Sequence, residues 1–190
     1  MEVSIAVISL AVSLFTLWVT YLHKGTVKMT HPTIICLAFE GMGGEPKVFL
    51  RTLLYSSSKQ GIIVESLFLK LLNNGLPQIF SVWAYGDKGL VRGSGLYVGE
   101  QGVEVYHHFI VPKTEKDYKF LPGWQTVEIY TVIKGKKKKL CSLQLEITQE
   151  MADTLSQGTL GIFFDWNPEL NSYLAHTEKP SVEKLGKLLR

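Results

Sequence analysis

"TVEIYTVIKGKKKKLCSLQLEI", residues 126–147, is two alternating runs joined by a lysine-rich turn. In the first run Val127, Ile129, Thr131 and Ile133 share one face, and Thr126, Glu128 and Tyr130 share the other. In the second, Cys141, Leu143, Leu145 and Ile147 oppose Ser142, Gln144 and Glu146. Successive side chains of a strand point to opposite faces, so this period of two predicts an antiparallel hairpin with one buried face.

The same period extends outward from the hairpin. "TIICLAF" (33–39), "KVFLRTLLYS" (47–56), "GIIVESLFLKLL" (61–72), "QIFSVWAYG" (78–86), "LYVG" (96–99), "VEVYHHFIV" (103–111) and "TLGIFFDW" (159–166) are rich in β-branched and aromatic residues. Turn clusters such as "GMGGEP" and "NNG" separate them. The leucines of residues 64–72 also suit helical spacing, but Ile62 and Ile63 lead in and Asn73-Asn74-Gly75 follow, so a strand is expected. Short strands at this spacing predict a mainly β fold, an antiparallel β-sandwich (immunoglobulin-like or barrel-like) over residues 33–176. The tail, 177–190, is polar and weakly amphipathic through Val182, Leu185, Leu188 and Leu189, and is expected to form a short helix.

Residues 3–22, "VSIAVISLAVSLFTLWVTYL", contain no charge, proline or glycine. Twenty helical residues at about 1.5 Å each span a hydrocarbon core of roughly 30 Å. A signal peptide needs a basic start and a small-residue cleavage site; Glu2 is the only charge ahead of the run, and "TYLHKG" offers no such site. An uncleaved single-pass anchor (1–22) followed by a tether (23–32) is therefore expected. Lys24 and Lys28 follow the span and only Glu2 precedes it, which predicts an inner (plasma) membrane protein with a cytoplasmic domain. Cys36 and Cys141 sit in apolar runs as small core residues, with one bridge between them as the alternative.

"LVRGSGLYVGEQGVEVYHHFIVP", residues 90–112, tests whether the chain carries phosphate or metal chemistry. A P-loop needs a lysine and a following helix, and a dinucleotide fingerprint needs its third glycine three residues after the second. Here Gly93 and Gly95 are followed by Gly99, one position late, amid strand-like residues. Two tight turns in a β-meander are predicted instead. His107 and His108, adjacent on a strand, face opposite ways and cannot share a metal; one is expected packed and the other exposed. His23, His31 and His176 show no ligand spacing, and Ser56, Ser57 and Ser58 lie in no nucleophile elbow. Asp165, in "FFDWNP", is expected to build a turn, and Arg51 and Glu65 to make cross-strand charge pairs. No catalytic residue, metal ligand or cofactor site is predicted.

"VKMTHPT", "KVFLRTLLYSSSKQG" with "VES", and the string from Phe80 to Pro112 resemble a family of uncharacterised bacterial proteins with one N-terminal transmembrane helix. The likeness covers roughly residues 27–112 and is carried by Trp83, Tyr85, Arg92, Gly93, Gly95, Gly99 and Gly102. It implies a membrane-anchored β-domain architecture and a bacterial source, and it brings no activity with it.

Net charge is +3, and the basic residues concentrate at the hairpin tip as Lys134, Lys136, Lys137, Lys138 and Lys139. A solvated turn that blunts aggregation is one explanation. Contact with anionic lipid headgroups is the functional one, alongside a protein partner. Nucleic acid is set aside because the lysine run holds no aromatic platform, Tyr130 lying a few residues away. These features together predict a membrane-anchored binding or assembly module. The alternatives are an extracytoplasmic carbohydrate-binding module using Trp83, Tyr85, Tyr97, Tyr106, Trp124 and Trp166, a tethered effector or sensor of a nucleic-acid signal, and an enzyme whose site the sequence does not reveal.

Overall fold

The computed structural model describes residues 2–39, 44–86, 90–115 and 117–178. Helix α1 (Glu2–Leu17) runs on through a π-helical turn, Trp18–Leu22. Together they hold a 20-residue apolar stretch, Val3–Leu22, long enough to cross a membrane and not buried against the rest of the chain. The hydroxyls of Ser13 and Thr16 donate to the carbonyls of Ser9 and Val12, each at 2.8 Å, which satisfies them inside an apolar helix.

The strands follow as β1 (Val27–Met29), β2 (Ile34–Phe39), β3 (Pro46–Ser56), β4 (Ile62–Val64), β5 (Ser66–Asn73), β6 (Leu76–Phe80), β7 (Val82–Gly86), β8 (Val91–Arg92), β9 (Leu96–Val98), β10 (Val103–Ile110), β11 (Gly123–Ile133) and β12 (Lys136–Ile147). After helix α2 (Gln149–Ser156) come β13 (Gly161–Asn167) and β14 (Ser172–Glu178). Neighbouring strands all pair antiparallel. One sheet has the order β14-β13-β2-β3-β10-β7-β8, with β1 also on β3; a second has the order β12-β11-β5-β6. A ribbon of β4 and β9 stands apart. Both sheets keep free ends, so the fold is a mainly β sandwich and not a closed barrel.

The two sheets share one core. Leu37, Leu50, Phe109 and Phe164 come from the larger sheet, and Leu69, Phe80, Val127 and Leu145 from the smaller. Helix α2, which the alternation did not indicate, adds Ala152 and Leu155. Its N-cap is Thr148, whose hydroxyl accepts from Met151 N at 3.2 Å.

The larger sheet is also covered on its outer face at the centre. Cys36, Ala38, Phe49 and Tyr106 form a second buried cluster with Ile34 and Phe163 against it. His176, Phe163, Cys36, Phe49 and His108 lie in register across five strands. The expectation of one exposed histidine therefore fails: His107 and His108 do face opposite ways, but they are 1% and 6% exposed. Strands covered on both faces bury alternate residues alike, which also explains the unbroken apolar run of β2.

Other expectations need correction. Three residues of the expected tether form β1, and the link from the N-terminal helix to the domain is tied down: Gly25 N donates to Ser58 Oγ (2.9 Å) and Thr26 N to Ser57 Oγ (2.8 Å). At the other end, β14 carries the ordered domain to Glu178. The expected tail helix lies outside the described residues from 179 onward. The Gly99–Gly102 turn closes at 3.1 Å but joins no hairpin, since β9 pairs with β4 while β10 pairs with β3 and β7. Asp165 lies in β13, 3.4 Å from His176 Nδ1; the turn is built by Asn167, whose Oδ1 accepts from the N–H groups of Glu169 and Leu170. Arg51 makes its cross-strand pair with Glu104 at 3.1 Å, whereas Glu65 caps a turn. Both cysteines are free thiols, so the bridge alternative fails.

Candidate functional site

The β11–β12 hairpin turns through Lys134 (φ 51°) and Gly135 (φ 70°), a two-residue pattern that favours glycine at the second position. Gly135 N donates to Glu65 Oε2 at 3.0 Å, so an acidic side chain from outside the hairpin closes its tip. A bulge skips Leu140: Ile129 pairs with Cys141, then Tyr130 with Lys139. That slip puts Lys139 and Lys137 on the outer face beside Tyr130, and Lys138 opposite Thr131 on the other face.

The five lysines are consequently not equivalent. Lys139 Nζ lies 2.8 Å from Glu128 Oε1, and the Tyr130 hydroxyl donates to Glu128 Oε2 at 2.8 Å. Hydrogen bonds from Lys139 first, and Tyr130 next, hold the Glu128 carboxyl below its ordinary value. Lys137 lies 5.7 Å over Phe68, Lys70 lies 4.9 Å over Tyr130, and the two rings stack at 5.0 Å. Strand β5 thus supplies the aromatic neighbour that the lysine run lacks, although the rings engage each other and a lysine each instead of standing free. Lys134, Lys136 and Lys138 are exposed, and among the described residues no ion pair engages them.

The tip lies where the apolar N-terminal helix meets the domain. A cavity of ≈ 480 Å³ is lined by Lys24, Gly25, Gln60, Ile63, Ile133 and Lys134 among others. Ile63 pairs with Tyr97 across the β4–β9 ribbon, and both are 65% exposed. Lys24, Lys134, the acidic Glu65 and two large apolar side chains are gathered beside the end of the apolar N-terminal helix.

A second concavity, ≈ 670 Å³, opens between the sheets along β12 and β14. Trp124, Trp166, His31, Tyr173, Met151 and Leu145 contribute to its walls. His31 and Trp166 rings meet at 4.1 Å, and the Tyr173 hydroxyl donates to Pro32 O at 2.7 Å. Of the six aromatics expected as stacking surfaces, Trp124 and Trp166 line this cleft. Trp83 and Tyr106 are buried, and Tyr85 is turned to Gly95 O at 2.7 Å. His31 and Tyr173 went unassigned in the sequence because only strand pairing brings them to Trp166: Tyr173 across the β13–β14 hairpin, and His31 through the segment before β2, where Trp166 N donates to Thr33 O at 2.9 Å.

Within the glycine string, Gly93 packs against Trp83, while Gly102 lies against Leu53 and Leu54. A Cβ on Gly93 would lie 2.1 Å from the indole, and Gly93 N donates to Trp83 O at 2.8 Å. Among the described residues no three His, Cys, Asp or Glu side chains form a cluster that suits a metal ion.

These features define a two-sheet antiparallel β-protein carrying an apolar N-terminal helix, with a basic tip beside that helix and an aromatic cleft at its open side. No family model and no curated protein matches the chain. Among solved structures, the sporulation control protein Spo0M from Bacillus subtilis is similar over 87% of this chain and 96% of that one, at 10% identity and a TM-score of 0.30. So low an overlap bears on neither the site nor the function.

Proposed function

We propose that this protein is a membrane-anchored recognition module, held in the inner (plasma) membrane by residues 3–22 with its β-sandwich on the cytoplasmic side. The lysine tip, in this reading, rests on anionic headgroups and orients the domain. The observation that carries it is the cavity shared by Lys24 and Lys134, which sets the tip at the end of the span. Among the described residues Lys134, Lys136 and Lys138 make no ion pair there, and each lysine near an anionic leaflet contributes about 1 kcal/mol. Exposed Ile63 and Tyr97 add apolar surface at the same end, the element a basic turn alone lacks. Lys24 and Lys28, against Glu2 alone on the other side, support the sidedness. The ties from Gly25 and Thr26 to Ser58 and Ser57 favour a retained span over a cleaved leader, because they leave no slack segment after it.

The test uses the full chain with Lys138→Cys in a Cys141→Ser background. In intact bacterial cells a membrane-impermeant thiol reagent should label position 138 only after permeabilisation, and the mass of the membrane-bound chain should be that of the intact sequence. Labelling from outside would reverse the sidedness, and a shortened chain would remove the anchor. In nanodiscs, a fluorophore at position 138 should be quenched by nitroxide headgroup lipid more strongly in anionic than in neutral bilayers. The difference should fade as salt shrinks the Debye length to about 10 Å at 0.1 M and below. Equal quenching in both bilayers removes the headgroup role.

A further inference from the structure

We infer that the free edge of β12 at the inter-sheet cleft is a docking site for an extended peptide segment, which adds to the smaller sheet as a fifth strand. The site deepens the proposed recognition role by naming what is recognised, and it does not depend on the headgroup contact.

Three observations point to a strand as the occupant. Five consecutive residues of β12, Ser142 to Glu146, line the cleft. Neighbours on a strand face opposite ways, so a cleft that touches all of them runs along the strand's edge and not over one face. On the opposite wall Asn171, Ser172 and Tyr173 are likewise consecutive. Second, among the described residues β12 and β14 are the end strands of their sheets, and an end strand shows unpaired N–H and C=O groups at alternate residues. Third, proteins blunt such edges with lysines, prolines and bulges, and β12 carries these devices in one half only. Lys136 to Lys139 and the Leu140 bulge protect the tip, while 142–146 contains neither Lys, Pro nor Gly.

The chemistry of the walls sets the pattern of the guest. Side chains pointing inward would meet Leu143, Leu145, Phe164 and Met151; those pointing outward would meet Ser142, Gln144 and Glu146. Alternating apolar and polar residues fit, as in strand addition generally. Among the described residues Glu146 is the sole acidic side chain on the lining and neither Lys nor Arg joins it, within a chain of net charge +3. The cleft therefore complements neutral or basic outward residues. It disfavours acidic segments, nucleic acid and anionic lipid alike.

The test is run on the full chain in neutral detergent micelles, where headgroups play no part, so a failure here leaves the membrane proposal standing. A nonapeptide, KVTVTVTVK, is fused after Arg190 through a glycine-serine linker, which supplies an effective concentration in the millimolar range. Amide exchange over residues 142–146 should slow by about tenfold relative to the unfused chain. A control with proline at alternate positions, unable to donate to the edge, should give no protection. Glu146→Lys, an exposed position, should weaken protection by this lysine-flanked peptide and restore it for one flanked by glutamates. Unchanged exchange, or equal protection by the proline control, overturns the proposal. Protection already present in the unfused chain and lost on dilution would assign the edge to a second copy, which equally overturns it.

Discussion

The indole N–H of Trp83 donates to Nδ1 of His107 at 3.1 Å within the buried core. That bond leaves the ring proton of neutral His107 on Nε2, for which the described residues provide no acceptor. Burial, and then His108, pull His107 down to about 4; burial, and then Lys47, pull His108 down to about 4. Both folded values lie below the ordinary 6.5, so the unfolded chain binds protons that the fold refuses. The stabilisation is complete above pH 6.5 and is lost as pH falls toward 4. Each histidine contributes on the order of 3 kcal/mol to that loss. Urea midpoints of the full chain in detergent should fall steeply between pH 7 and pH 4.5, and His107→Gln should flatten the dependence. A midpoint indifferent to pH over that interval would show that the rings are solvated.

Gly93 and Gly99 should respond differently to alanine. A methyl on Gly93 would lie 2.1 Å from the Trp83 ring, whereas one on Gly99 meets only Tyr97, at 3.8 Å. Overpacking of this kind costs about 1–3 kcal/mol. Gly93→Ala should lower the denaturation midpoint clearly and Gly99→Ala should leave it within error. Equal midpoints would mean that Trp83 shifts freely.

The two thiols should differ in reactivity. Cys36 is fully buried, and burial pushes its thiol well above the ordinary range; Cys141 is half-buried and raised less, again by burial. Since the thiolate is the nucleophile, iodoacetamide should modify Cys141 first and Cys36 only as the domain unfolds. Peptide mass mapping over time separates the two, and comparable rates would place Cys36 at a mobile surface.

Within the hairpin, charge removal should matter by position. In the chain labelled at position 138, replacing Lys134 and Lys136 together with glutamine should abolish the anionic-bilayer quenching difference. Lys139→Gln should change it little, because Lys139 is already held by Glu128. A larger effect from Lys139 than from Lys134 and Lys136 would place the headgroup contact on the outer sheet face, beside Phe68 and Tyr130.

Residues 126–147 by themselves determined a hairpin with Val127, Ile129, Leu143 and Leu145 inward, and all four are buried. The side-chain period of a strand is a local property, legible wherever one face meets a core. The apolar N-terminal helix, long enough to cross a membrane, was legible for a similar reason, since its length and lack of charge are properties of one segment. Only the tertiary structure decided which strands adjoin. It set β5 beside β11, so that Phe68 stacks on Tyr130, and it covered both faces of β10, so that His108 is buried beside Phe49. It brought Lys24 to Lys134 and left the 142–146 edge open at the cleft. Alternation records which face of a strand turns inward. It does not record which distant strand lies alongside, because pairing is settled by the joint packing of all the faces at once.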